Sequence, residues 1–154
     1  MKTITAIILT SVCAIVPVLA RQAGQEYPTS QPGVRFAPLH IYLDSGARPL
    51  AAFQFELKAT AGQVKIVGVE GGQHEAFSKT PPYYDPAALA NDRIIIAAFS
   101  TQRDLPRGKT RIATLHLQIL GDAQPQYELK LVVAADPDGK EIPARISFEK
   151  GEQK

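Results

Sequence analysis

From residue 39 onward, apolar side chains recur at every second position in short runs separated by turn residues. Leu39, Ile41 and Leu43 alternate with His40 and Tyr42, and the run stops at Asp44-Ser45-Gly46. Phe53, Phe55 and Leu57 alternate with Gln54, Glu56 and Lys58; Val64 to Val69 follows and closes at Gly71-Gly72. Ala113, Leu115, Leu117 and Ile119 alternate with Thr114, His116 and Gln118. Tyr127, Leu129, Leu131 and Val133 alternate with Glu128 and Lys130, and a last run sets Ile142, Ala144, Ile146 and Phe148 against Arg145, Ser147 and Glu149. A period of two marks strands with one face buried. The run RIIIAAF (residues 93–99) is apolar on both faces and predicts a central strand covered on two sides.

The punctuation agrees with strands. Asp136-Pro137-Asp138-Gly139 is a turn in which proline presets one dihedral and glycine takes the positive one. One helical turn is predicted over 85–90, where Asp85 caps, Pro86 suits the first position and alanines follow. Tyr84 just before the cap and Leu89 four residues inside have the spacing of a hydrophobic staple. Seven or more short strands with regular turns predict an all-β fold, an antiparallel β-sandwich. The domain is placed at 34–148, after a polar lead-in at 21–33 rich in Gly, Pro and Gln, with the charged tail 149–154 expected to fray.

The N-terminus changes the compartment expected for the chain. Met1-Lys2 precedes a mostly apolar stretch to Leu19, and Val18-Leu19-Ala20 offers modest side chains at the cleavage positions. Residues 1–20 therefore read as a signal peptide cleaved before Arg21, which predicts a secreted or periplasmic protein. An uncleaved membrane anchor is the rival reading, weakened by Pro17 and by marginal length. Cys13, the one cysteine, would leave with the signal, and Thr10-Ser11-Val12 lacks the small residue that precedes a lipidated cysteine. The mature chain then has no disulfide and depends on its core, for which about 130 residues suffice. With 17 Lys+Arg against 15 Asp+Glu and no basic block, nucleic acid is not an expected partner.

Three stretches carry a family resemblance. LAAFQFELKATAGQVKIVGVEGG (50–72), RIIIAAFST (93–101) and LPRGKTRIATLHLQILG (105–121) resemble, in order, the early, central and late strands of cohesin domains. The resemblance implies a jelly-roll β-sandwich related to bacterial cellulose-binding modules. It also implies a sheet face that receives a protein, since cohesins hold the calcium-loaded dockerin of a partner on one flat face. TPPYYDPAALAND (80–92) departs from the family, standing where a plainer loop is expected. No dockerin-contacting position can be matched residue by residue.

Reactive chemistry finds little support. His40, His74 and His116 are far apart in the chain and lack HxH or HExxH spacing, so no metal is expected. The Asp136 turn lacks the later oxygens of a calcium loop, and no cofactor is expected. No serine lies in a G-x-S-x-G-like turn. Glu70, Glu75, Asp85 and Asp92 could gather at one end of the sandwich, but a glycosidase pair also needs a cleft, so a glycoside-active enzyme ranks lowest.

Binding is the class that remains. Exposed tyrosines suit sugar faces, because a ring matches the apolar side of a pyranose and the hydroxyl adds a polar tip. The chain has five tyrosines and no tryptophan, the usual residue of a cellulose-binding strip. Candidate ligand residues are Tyr83, Tyr84, His74 and Tyr42; Tyr127 is in phase with Leu129 and Leu131 and is assigned to the core. The expectation is an exported, non-catalytic module recognising another exported protein or a surface assembly. A carbohydrate-binding module is the alternative, and strand pairing at a sheet edge is a third possibility.

Overall fold

The computed structural model describes residues 33–79 and 82–151. The expected signal peptide, and the lead-in apart from Gly33, lie outside the described residues.

Seven strands form among the described residues: β1 (Val34–Asp44), β2 (Ala52–Ala61), β3 (Gln63–Gly71), β4 (Arg93–Phe99), β5 (Lys109–Leu120), β6 (Gln126–Ala135) and β7 (Arg145–Lys150). Between β3 and β4 stand a short helix, α1 (Glu75–Ser78), and a single 3-10 turn, Pro86–Ala88. The odd-numbered strands make one sheet in the order β3-β5-β1-β7, and the even-numbered strands make the other, β4-β2-β6. Every strand pair within them is antiparallel. Each connection thus carries the chain from one sheet to the other, and no two consecutive strands pair.

The period-two pattern explains why the sheets close face to face. Leu39, Ile41 and Leu43 of β1, Phe53, Phe55 and Leu57 of β2, and Leu115 and Leu117 of β5 all point inward and are buried. Phe53 stacks beside Phe55 at 6.1 Å and meets Phe77 of α1 edge-on at 5.1 Å, so α1 closes one end of the core. Gly71 and Gly72 make that closure possible. A Cβ at Gly71 would lie 2.3 Å from the Phe77 carbonyl oxygen, and one at Gly72 2.5 Å from the Arg111 carbonyl oxygen. The pair is small because backbone must pass close by.

Two expectations are corrected. The 93–99 run is not a central strand: β4 stands at the edge of the three-stranded sheet. Ile94, Ile96 and Ala98 face inward, whereas Ile95 and Phe99 are exposed on the outer face. Of the tail expected to fray at 149–154, residues 149–151 are held in the fold and 152–154 lie outside the described residues. β7 runs to Lys150, pairing Glu149 with His40 and Lys150 with Leu39, and the Gly151 N–H donates to the Pro38 carbonyl at 3.0 Å. The ladder of β1 holds these residues irrespective of their charge.

The Asp136 turn forms as expected. Gly139 takes φ +76°, and its N–H donates to the Asp136 carbonyl at 3.0 Å. Asp136 is buried; its Oδ1 accepts from the Asp138 and Lys140 N–H groups at 3.1 and 3.0 Å, and its Oδ2 accepts from Arg48 at 2.9 Å. Burial opposes its ionisation, but those donors win and hold the carboxyl below its ordinary value. Beyond the turn a single bridge, Ala135 to Glu141, precedes the crossing to β7, so Ile142 and Ala144 lie outside the strand that the last run predicted.

Candidate functional site

The outer face of the β4-β2-β6 sheet divides into two halves. At one end, Lys58 lies opposite both Arg93 and Glu128, and Glu56 lies opposite Lys130. Arg93 Nε donates to Glu56 Oε1 at 2.5 Å. That hydrogen bond holds the Glu56 carboxyl below, and the Arg93 guanidinium above, their ordinary values. Arg93 and Glu56 thus satisfy one another across the strands.

The other half carries no charge. Ala52 pairs with Phe99 and Ala135, and Gln54 with Ala97 and Val133. Tyr83 extends this half sideways by bridging to Ala97: its N–H donates to the Ala97 carbonyl at 2.7 Å, and its carbonyl accepts from the Ala97 N–H at 2.9 Å. Residues directly opposite in a ladder point to the same side, so the Tyr83 ring joins the outer face. It stacks on Phe99 with planes 3° apart and centroids at 5.9 Å. Tyr83 is 56 % and Phe99 54 % exposed, and Ile95 and Val132 on the same face are exposed as well. Four of the seven large exposed hydrophobic residues among those described therefore share one face.

The other sequence candidates are dispersed. Tyr84 is half-buried against the core together with Leu89. Asp85 does cap, its Oδ1 accepting from the Ala87 N–H at 2.9 Å, but the turn ends at Ala88 and leaves Leu89 outside it in extended conformation. The helical turn expected over 85–90 is thus a single 3-10 turn at Pro86–Ala88, and no residue occupies the interior staple position. His74 caps α1, its Nδ1 accepting from the Ala76 N–H at 3.2 Å, with Nε2 3.9 Å from Asp104. It has a structural task in the loop.

Tyr42 lies on the outer face of the other sheet, opposite Arg111 and Ser147. Lys109 Nζ sits 4.6 Å from the centre of its ring and bonds Glu149 at 2.6 Å. That bond raises Lys109 and lowers Glu149. Tyr127 packs edge-on against Phe148 at 5.6 Å, and burial pushes its hydroxyl up, in keeping with its core assignment.

Of the four carboxylates that could have gathered, only Asp85 and Asp92 line one depression, with Arg93 beside them. Glu75 pairs with Lys79, and Glu70 with His116 on the opposite sheet. His40 and His116, remote in the chain, line one groove.

Sequence reasoning missed Phe99, Ile95 and Val132. The signal was present: Arg93 starts β4 on the outward phase, and strict alternation carries Ile95, Ala97 and Phe99 with it.

No protein-family model and no curated protein matches the chain. Among solved structures, a chain of a type I cohesin–dockerin complex from Clostridium thermocellum superposes with a TM-score of 0.55 at 14% identity, covering 74% of this chain and 84% of that one. A chain of a second cohesin–dockerin complex gives 0.52 at 14% identity, covering 73% and 84%. The odd and even sheets of this chain form a cohesin-like antiparallel β-sandwich.

Proposed function

We propose that this chain is an exported, non-catalytic module that binds another exported protein on the outer face of β4-β2-β6. One observation carries the reading: Tyr83, Phe99, Ile95 and Val132 are exposed together, beside a charged half in which Arg93 and Glu56 pair. Apolar, aromatic patches bordered by polar residues are common in protein interfaces, and aromatic residues dominate their energy. The fold is in keeping with this, since both similar structures were solved as cohesin–dockerin complexes. Export rests on the N-terminal signal pattern.

The test is capture of a partner from the extract of the source cells by the chain lacking residues 1–20. Ile95→Asp and Phe99→Ala should abolish capture while the fold melts normally. Capture unchanged by both substitutions would refute this face.

The Tyr83–Phe99 stack favours a second reading, carbohydrate binding on that aromatic plane. Retention on a polysaccharide column that Tyr83→Ala releases supports it; no retention on any glycan rejects it.

A further inference from the structure

On the opposite side of the sandwich, the outer face of β3-β5-β1-β7 carries a groove of about 440 Å³. Its lip is apolar, made by Phe36, Ala37 and Pro38 of β1, with Phe36 well exposed. Its polar wall brings together His40 of β1, Arg111, Thr114 and His116 of β5, and Glu70 of β3.

Two irregularities in neighbouring strands build that wall. In β5 the register shifts so that Tyr42 opposes Arg111 while Ile41 opposes Ala113, and Ile112 is the extra residue. In a regular strand Arg111 and Thr114 would face opposite sides. The bulge puts both on the groove side. In β3, Ile66 opposes Leu117 and Gly68 opposes His116, so Val67 is the extra residue. That second shift turns Glu70 outward to His116, whose Nε2 lies 2.9 Å from Glu70 Oε1. The His116 ring rests over Gly68, where an added Cβ would stand 3.5 Å from it. Bulges that re-aim side chains concentrate beside functional sites.

In the groove Glu70 Oε1 faces His116 Nε2, and Glu149, opposite His40 on β7, is taken by Lys109. His40 Nδ1 is 3.0 Å from the hydroxyl of buried Thr114. Arg111, half-buried, makes no ion pair among the described residues, and its Nε is withdrawn from water without a partner. The planar fork of a guanidinium fits an anion, and a carboxylate accepts two of its N–H bonds side by side.

We propose that this groove binds a small carboxylate bearing an apolar body. Arg111 receives the carboxylate, and Phe36 and Pro38 cover the apolar part. The volume lies within the range of small-molecule sites, and the few convergent polar groups beside an apolar wall have their usual composition. The site is on the other face from the protein-binding surface and stands independently of it.

The experiment is an NMR titration of the chain lacking residues 1–20, following backbone amides and the arginine Nε–H signals. The probes are phenylacetate, acetate and the neutral 2-phenylethanol. Phenylacetate should shift Arg111, His40 and His116 saturably, with acetate and 2-phenylethanol each much weaker. Arg111→Gln should weaken phenylacetate about tenfold or more, the scale of a lost charge-assisted hydrogen bond. Arg103→Gln, in an exposed loop, should leave it unchanged. No saturable shift, equal binding of 2-phenylethanol, or full affinity in a folded Arg111→Gln variant would each overturn the assignment.

Discussion

Tyr83 and Phe99 lie with their rings 3° from parallel and their centroids 5.9 Å apart, on the open edge of β4. The backbone bridge from Tyr83 to Ala97 sets that arrangement, because it fixes which side the tyrosine faces. Aromatic contacts of this kind contribute about 0.5–1.5 kcal/mol beyond area burial. Both rings are more than half exposed, so the contribution falls at the low end of that range. A double-mutant cycle of Tyr83→Ala and Phe99→Ala in urea denaturation should show a coupling of about 0.5 kcal/mol. Strict additivity would mean that the rings do not pack in solution.

Gly72 is a position where a single methyl should do harm. Its Cβ would stand 2.5 Å from the Arg111 carbonyl oxygen, a backbone atom inside the β5 ladder. Gly72→Ala should lower stability by about 1–3 kcal/mol, the scale of overpacking. Gly33→Ala, which meets nothing within 4 Å, should be close to neutral. Thermal denaturation of the two variants side by side checks the contrast.

Phe53 joins both ends of the aromatic core, touching Phe55 and Phe77. Phe53→Ala should cost about 3–5 kcal/mol, as a buried aromatic truncation does. If chemical denaturation shows a loss below 1 kcal/mol, α1 does not close the core as described.

Asp136 gives the fold a pH dependence of defined sign. Its folded-state pKa is lowered relative to the unfolded chain, so its stabilising contribution is present above the ordinary carboxylate value of 3.8. It is lost as pH falls through the lower folded value. The urea midpoint of the wild type should therefore fall more steeply below pH 4 than that of Asp136→Asn. Parallel curves would show that the Arg48 and backbone contacts do not favour the ionised form.

The inward positions of β1, β2 and β5 were legible in the sequence because burial on one face leaves a period of two. The Asp136 turn was legible because its proline and glycine have local conformational meanings. Other features depend on relations across the chain. The 93–99 run looked central because aliphatic residues fill both its phases, yet β4 is an edge whose outer phase is covered only where Tyr83 reaches Phe99. Gly71-Gly72 read as a turn, whereas the glycines are needed for the close passage of Phe77 and Arg111 backbone. The His40–His116 groove was hidden because two bulges, invisible to a strict alternation, bring its wall together.

The most direct test of the protein-binding reading is site-specific photo-cross-linking in the source cell. A benzophenone amino acid at Ile95, exposed on the β4-β2-β6 face where its charged and apolar halves meet, should trap one dominant exported protein. The same residue at Gln118, on the outer face of the other sheet, should trap none. Equal trapping at both positions, or a species trapped at Gln118 alone, would contradict the assignment of the binding face.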